Sequence, residues 1–252
     1  MRHQREAKTA SNSLKRKNVS RSSRPLPDRS RSVRLLTMQG ASDSANWPIA
    51  AKLAQRVGAQ RLPHPKIELF QVKEFVSPQL RETLIALIDK DRRPSTIADA
   101  NGDDYFRTSE TCDLNADEPA VQELESDLLA LHGIDAKFGE PCQGQRYDLG
   151  QEFKAHTDYF TPGGADYEQF CSVAGQRTWT FMIYLNDVEA GGATRFKAIG
   201  KTFQPEAGKL LCWNNARPDG SVNPNTLHHG MKVRKGLKYV ITKWYRERPW
   251  GW

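Results

Sequence analysis

Apolar residues recur at two intervals along this chain, and the change falls near Gly133. Before it the interval is helical. Leu80, Leu84, Leu87 and Ile88 keep one face after Ser77-Pro78, which offers an N-cap serine and a first-turn proline. Val121, Leu124, Leu128 and Leu131 repeat the pattern from a start near Asn115–Pro119 to a stop at Gly133. A shorter helix is predicted over Ala50–Arg56 and a strand over Ile67–Val72.

After Gly133 the apolar runs shorten and turn residues punctuate them. Strands are predicted over Gln143–Leu149, Glu152–Phe160, Arg177–Leu185, Ala193–Phe196, Lys201–Gln204, Gly208–Trp213, Thr226–Val233 and Lys238–Tyr245. Gly191-Gly192, Ala207-Gly208, Pro218-Asp219-Gly220 and Lys235-Gly236 separate several of them. About eight short strands of this kind suggest a mostly β fold, an antiparallel jelly-roll double sheet with supporting helices on one outer face. Trp179–Leu185 is apolar on both faces, as a strand covered from two sides would be.

Composition divides the chain into a tail and one domain. Residues 1–38 hold 11 Lys/Arg against Glu6 and Asp28, whereas the rest has 26 basic and 28 acidic residues. The formal charge of +7 therefore belongs to the start of the chain. Residues 1–46 are rich in Ser, Arg and Lys and poor in aromatics, and are expected to be disordered. A solvated tail, a nucleic-acid or membrane-surface arm, an organelle transit peptide and a true start at Met38 all fit that composition. Residues 47–252 read as a single catalytic domain, with its core at about 139–248. The four cysteines are widely spaced without a C-x-x-C pair, which fits reduced thiols and a cytoplasmic location. No run approaches the roughly 18 apolar residues of a membrane span.

The candidate chemistry centres on Phe153-Lys154-Ala155-His156-Thr157-Asp158-Tyr159-Phe160. In an extended segment, His156 and Asp158 would project from one face and could reach one metal ion. A third ligand would come from His228 or His229. Two imidazoles and a carboxylate on one face of an octahedral ion leave three positions open, as in non-haem Fe(II) oxygenases. On Lys238–Trp244, the residues Lys238, Val240, Thr242 and Trp244 share a face. A lysine turned inward there would need an anion, and Lys238 with Thr242 would suit a dicarboxylate cofactor.

From Glu140 to Trp244, about 105 of 252 residues, the chain resembles the prolyl 4-hydroxylase-type branch of the 2-oxoglutarate- and Fe(II)-dependent dioxygenases. The matching segments, in order, are Gln145–Gln151, His156–Phe160, Arg177–Val188, Gly191–Phe196 and Leu227–Gly230 with Lys238 and Trp244 behind. Arg107-Thr108-Ser109 echoes another upstream. The resemblance implies a double-stranded β-helix core, with Fe(II) and 2-oxoglutarate as cofactors and L-ascorbate as a further one. It implies His156, Asp158 and His228 as iron ligands, the last because the distal histidine in the family lies ten residues before the basic residue. Lys238 would hold the 2-oxoglutarate C5 carboxylate, Thr242 would support Lys238, and Tyr147 would line the pocket. His229 would be a neighbour that orients a ligand, or a bystander.

The implied reaction consumes dioxygen, hydroxylates a C–H bond and releases succinate and CO2. A prolyl residue of a protein or peptide is the expected substrate; a free amino acid or small metabolite would use the same core. A non-catalytic barrel, or a nucleic-acid binder acting through residues 1–38, are the readings from other classes. Thr161–Gln176 and Arg92–Arg107 are the candidate lids.

Overall fold

The structure, a computed structural model, describes residues 49–95, 106–164 and 166–251. The basic segment, Met38 and much of the Arg92–Arg107 loop lie outside the described residues. In chain order the elements are α1 (Ile49–Gln55), β1 (Ala59–Arg61), β2 (Leu69–Val72), α2 (Pro78–Lys90), β3 (Arg93–Pro94), β4 (Glu110–Asp113) and α3 (Pro119–His132). Then follow β5 (Gln143–Tyr147), β6 (Phe153–His156), α4 (Tyr167–Cys171), β7 (Arg177–Tyr184), β8 (Ala190–Gly191), β9 (Thr194–Phe196) and β10 (Lys201–Phe203). The last are β11 (Leu210–Asn214), β12 (His228–Gly230), β13 (Val233–Lys235) and β14 (Lys238–Arg246).

The helices begin and end where local chemistry says they should. Ser77 accepts a hydrogen bond from the Leu80 amide at the start of α2. Gly133 closes α3 in the left-handed conformation, with φ of 71°. Eight strands form a major sheet in the order β1-β2-β11-β7-β14-β5-β4-β3, and β10-β9-β12-β6 form a minor one. The faces of the major sheet do different work. Phe181, Ile183, Tyr239, Ile241 and Tyr245 pack outward against Leu84, Ile88, Leu124 and Leu128 of the helices. Met182, Tyr184, Leu211, Trp213 and Val240 pack inward with Phe196 of the minor sheet. α2 approaches β5 closely because residue 144 is glycine; a Cβ there would meet the Ile88 side chain at 2.4 Å.

This is the expected double-stranded β-helix with helical support, but three details differ from the sequence reading. Glu152–Phe160 is not one long strand: β6 stops at His156, and Asp158 sits in a bend beyond it. Thr226–Val233 divides into β12 and β13, which join different sheets. Short β1, β3, β4 and β8 carry too few residues for periodicity to reveal them. No described helix is long and apolar enough to cross a membrane, and all four cysteines are buried free thiols.

Candidate metal and anion site

Strand pairing sets the two histidines face to face. β12 runs antiparallel to β6 with His228 opposite His156, and their ring centroids lie 4.3 Å apart. The bend after β6 then returns Asp158 toward them. Its Oδ1 lies 3.7 Å from His156 Nε2 and 4.0 Å from His228 Nε2. One ligand atom from each of the three falls within 4.8 Å of the others. So His156 and Asp158 converge through a strand end and a bend, not through a shared strand face.

Each donor is oriented by a second contact. His156 Nδ1 lies 2.8 Å from the Lys154 carbonyl oxygen, and His228 Nδ1 lies 2.9 Å from that of Thr226. A carbonyl only accepts, so each Nδ1 carries the hydrogen and each Nε2 presents a lone pair to the centre. The Thr180 hydroxyl donates to Asp158 Oδ2 at 2.7 Å, leaving Oδ1 toward the histidines. Thr180 accepts in turn from Asn215 Nδ2, and Asn215 Oδ1 accepts from the Trp213 indole. Outer contacts of this kind orient the ligands of metal sites.

Electrostatics prepare the group for a cation. Burial, and then the neighbouring His228, push His156 down to about 3, so its imidazole is neutral. Burial works against ionising Asp158, but His228, His156 and the Thr180 hydroxyl outweigh it and hold the carboxyl below its ordinary range. Neutral imidazoles and an ionised carboxylate are the protonation states that bind metal. The donor chemistry fits Fe(II), with three coordination positions left for other ligands.

His229 points elsewhere. Its Nε2 lies 2.9 Å from Glu152 Oε2, and it takes no part in the cluster.

Lys238 lies in the same narrow cavity of about 40 Å³ as the three donors. It is 2% exposed. Its ammonium stands 4.7 Å from the Tyr147 ring centroid and 5.6 Å from that of Tyr184. Among the described residues no carboxylate forms an ion pair with it, and burial lowers it to about 7. Thr242 Oγ1 accepts from Gln145 Nε2 at 3.2 Å, while the Tyr147 hydroxyl donates to Gln145 Oε1 at 3.1 Å. That pattern leaves the Thr242 hydrogen available to an anion beside Lys238.

A wider cleft of about 530 Å³ meets this cavity at His156, Asp158 and Trp244. Arg177 and Glu140 form a bidentate pair in it, at 2.6 and 2.7 Å, and Arg246 adds a contact to Glu140 at 2.9 Å. Burial opposes ionisation of Glu140, but the two guanidinium groups outweigh it and keep the carboxylate charged. The Arg177 guanidinium lies 3.9 Å from the Trp244 ring. Sequence reasoning missed Thr180, Asn215, Glu140 and Arg177. Thr180 left a signal, a hydroxyl inside the otherwise apolar run of β7; the others became legible only once the strands were placed.

Comparison with known proteins agrees with the geometry. The family model described as the 2OG-Fe(II) oxygenase superfamily matches residues 142–246. Probable prolyl 4-hydroxylase 3 of Arabidopsis thaliana is 30% identical over 199 residues, 69% of this chain and 68% of that protein. Prolyl 4-hydroxylase subunit alpha-1 of Gallus gallus is 30% identical over 182 residues, but the chain spans only 34% of its length. Among solved structures, a viral collagen prolyl hydroxylase from Paramecium bursaria Chlorella virus-1, in a 2OG complex, superposes with a TM-score of 0.55 at 26% identity. That match covers 71% of this chain and 95% of the viral one. The ordered segments, the donor set and these relatives agree, and the chain belongs to the prolyl 4-hydroxylase branch of the 2-oxoglutarate- and Fe(II)-dependent oxygenases.

Proposed function

We propose that the chain hydroxylates prolyl residues in a protein or peptide, with His156, Asp158 and His228 holding Fe(II) and Lys238 holding 2-oxoglutarate. The observation that carries the reading is the buried Lys238, which has no acidic partner among the described residues and shares one cavity with two histidines and a carboxylate. A buried ammonium is costly unless an anion meets it. A dicarboxylate with one end on Lys238 and the other toward the histidines satisfies it.

Bound there, Fe(II) and 2-oxoglutarate supply dioxygen activation, which places one oxygen atom on a C–H bond and yields succinate and CO2. The chain's own residues do the rest. The Nδ1–H contacts to Lys154 and Thr226 fix both imidazole tautomers. Thr180 orients the Asp158 carboxylate. Lys238 supplies a point charge and Thr242 a hydroxyl to the far carboxylate. Tyr147 and Gln145 hold Thr242 in that role.

The wide cleft supports a peptide in preference to a free amino acid. It is roomy, lined by Tyr159, Phe160, Phe170 and Trp244, and opens onto the metal side of the cavity. Arg177 and Arg246 line it as well, so peptide carbonyl oxygens entering it meet a cationic wall. The test is incubation of the protein with Fe(II), 2-oxoglutarate, ascorbate and a mixture of prolyl peptides and free amino acids, followed by mass spectrometry. We expect a gain of one oxygen on proline and one succinate per hydroxylation. Oxygen gained only by free amino acids would overturn the peptide reading.

A further inference from the structure

The family match ends at Arg246, but the chain continues to Trp250, which lines the cleft. After β14 the backbone runs beside the segment 171–176 and is stitched to it. The Glu247 amide donates to the Gln176 carbonyl, and the Gln176 amide donates to Glu247 Oε2, each at 3.0 Å. The Arg248 amide donates to Ala174 O at 2.9 Å. Its guanidinium reaches three more carbonyls, Cys171 at 2.9 Å, Ser172 at 3.1 Å and Val173 at 2.9 Å. These carbonyls lie at and just beyond the C-terminus of α4, where a helix leaves its last carbonyls without intrahelical donors; that of Cys171 also accepts from the Gly175 amide. Gln176 passes the restraint on, bonding both backbone groups of Phe160 at 2.7 and 2.8 Å.

The same stitching delivers an aromatic ring to the cleft. The Trp250 amide donates to Lys137 O at 2.7 Å. The Arg246 guanidinium lies 5.2 Å from the Trp250 ring, and the half-buried indole lines the cleft with Phe160 and Phe170.

We infer that Glu247–Trp250 completes the peptide groove. Arg248 is a positioning residue that holds the 171–176 wall in place. Trp250 is a specificity-determining residue that packs against an apolar side chain flanking the target proline. The inference deepens the hydroxylase reading and rests on it. An indole offers a large apolar face at low ordering cost, so it favours aliphatic or prolyl flanks over small polar ones.

The test uses the full chain and two dye-labelled ten-residue prolyl peptides, one with leucine beside the proline and one with serine. Equilibrium binding is read by fluorescence anisotropy, and KM and kcat are read in the hydroxylation assay. Trp250→Ala should weaken the leucine peptide about tenfold and the serine peptide less than about threefold. Trp250→Phe should restore most of the loss. Arg248→Ala should raise KM for both peptides alike with little change in kcat. Equal affinity of wild type and Trp250→Ala for the leucine peptide would overturn the inference and leave the hydroxylase reading standing. Failure of the wild type to bind or hydroxylate either peptide would overturn both.

Discussion

Two buried lysines on one strand have opposite surroundings. Lys243 of β14, 4% exposed, donates to Glu125 of α3 and so ties the helical layer to the sheet. Lys238, five residues earlier and 2% exposed, forms no ion pair among the described residues and faces the donor cavity. The carboxylates repeat the contrast. Glu140 is clamped by Arg177 and Arg246, whereas the Asp158 carboxylate faces two imidazoles and accepts from the Thr180 hydroxyl, with Arg177 reaching only its backbone carbonyl at 3.5 Å. Where a buried charge is already balanced, it belongs to the architecture. Where it is not, the proposed function brings the balancing charge from outside, as metal or cofactor.

The largest expected effect tests that division at Lys238. Lys238→Met should weaken 2-oxoglutarate binding by roughly 100-fold or more, the cost of removing one partner of a buried charge pair. Lys243→Met should leave it within about threefold; calorimetric titration of the metal-loaded protein separates the two. Thr180→Val should weaken Fe(II) retention by roughly 10–100-fold without removing a ligand. Competition with a chromophoric chelator measures it. Stability should move the opposite way from cofactor affinity. Lys243→Met should cost roughly 1–3 kcal/mol by leaving the Glu125 carboxylate unpaired, while Lys238→Met should leave the urea midpoint unchanged or raised. Equal losses in both variants would erase the distinction.

The smallest effect is in pH. Burial depresses Lys238 to about 7 in the cofactor-free protein, and binding a carboxylate favours the charged form. Below about pH 7 the ammonium is already present, so affinity should be flat. Above it, each binding event must take up a proton, and affinity should fall by up to about tenfold per pH unit. Lys238→Met should abolish that slope.

Several parts of this arrangement were legible in the sequence, for reasons the structure makes plain. The helices were readable because Ser77, Pro78 and Gly133 mark their ends and leucines keep their faces. Lys238, Val240, Thr242 and Trp244 alternate on one long strand, so period two brought them to one cavity. The reading was weaker wherever backbone irregularity intervenes. Asp158 reaches the histidines through a bend that no periodicity encodes. His228 and His229 could not be separated by alternation, because the turn at Lys235-Gly236 breaks the count; pairing with β6 puts His228 inward and leaves His229 on Glu152. Glu140, Arg177 and Arg246 are far apart in sequence, and only the sheet brings them together.

Anaerobic titration with Fe(II) followed by 2-oxoglutarate tests the central claim most directly. The account predicts an absorption band that appears only when both are present and saturates at one iron per chain. His228→Ala should abolish it and His229→Ala should keep most of it. A band that survives the loss of His228, or a protein that binds 2-oxoglutarate equally well after Lys238→Met, would contradict the account.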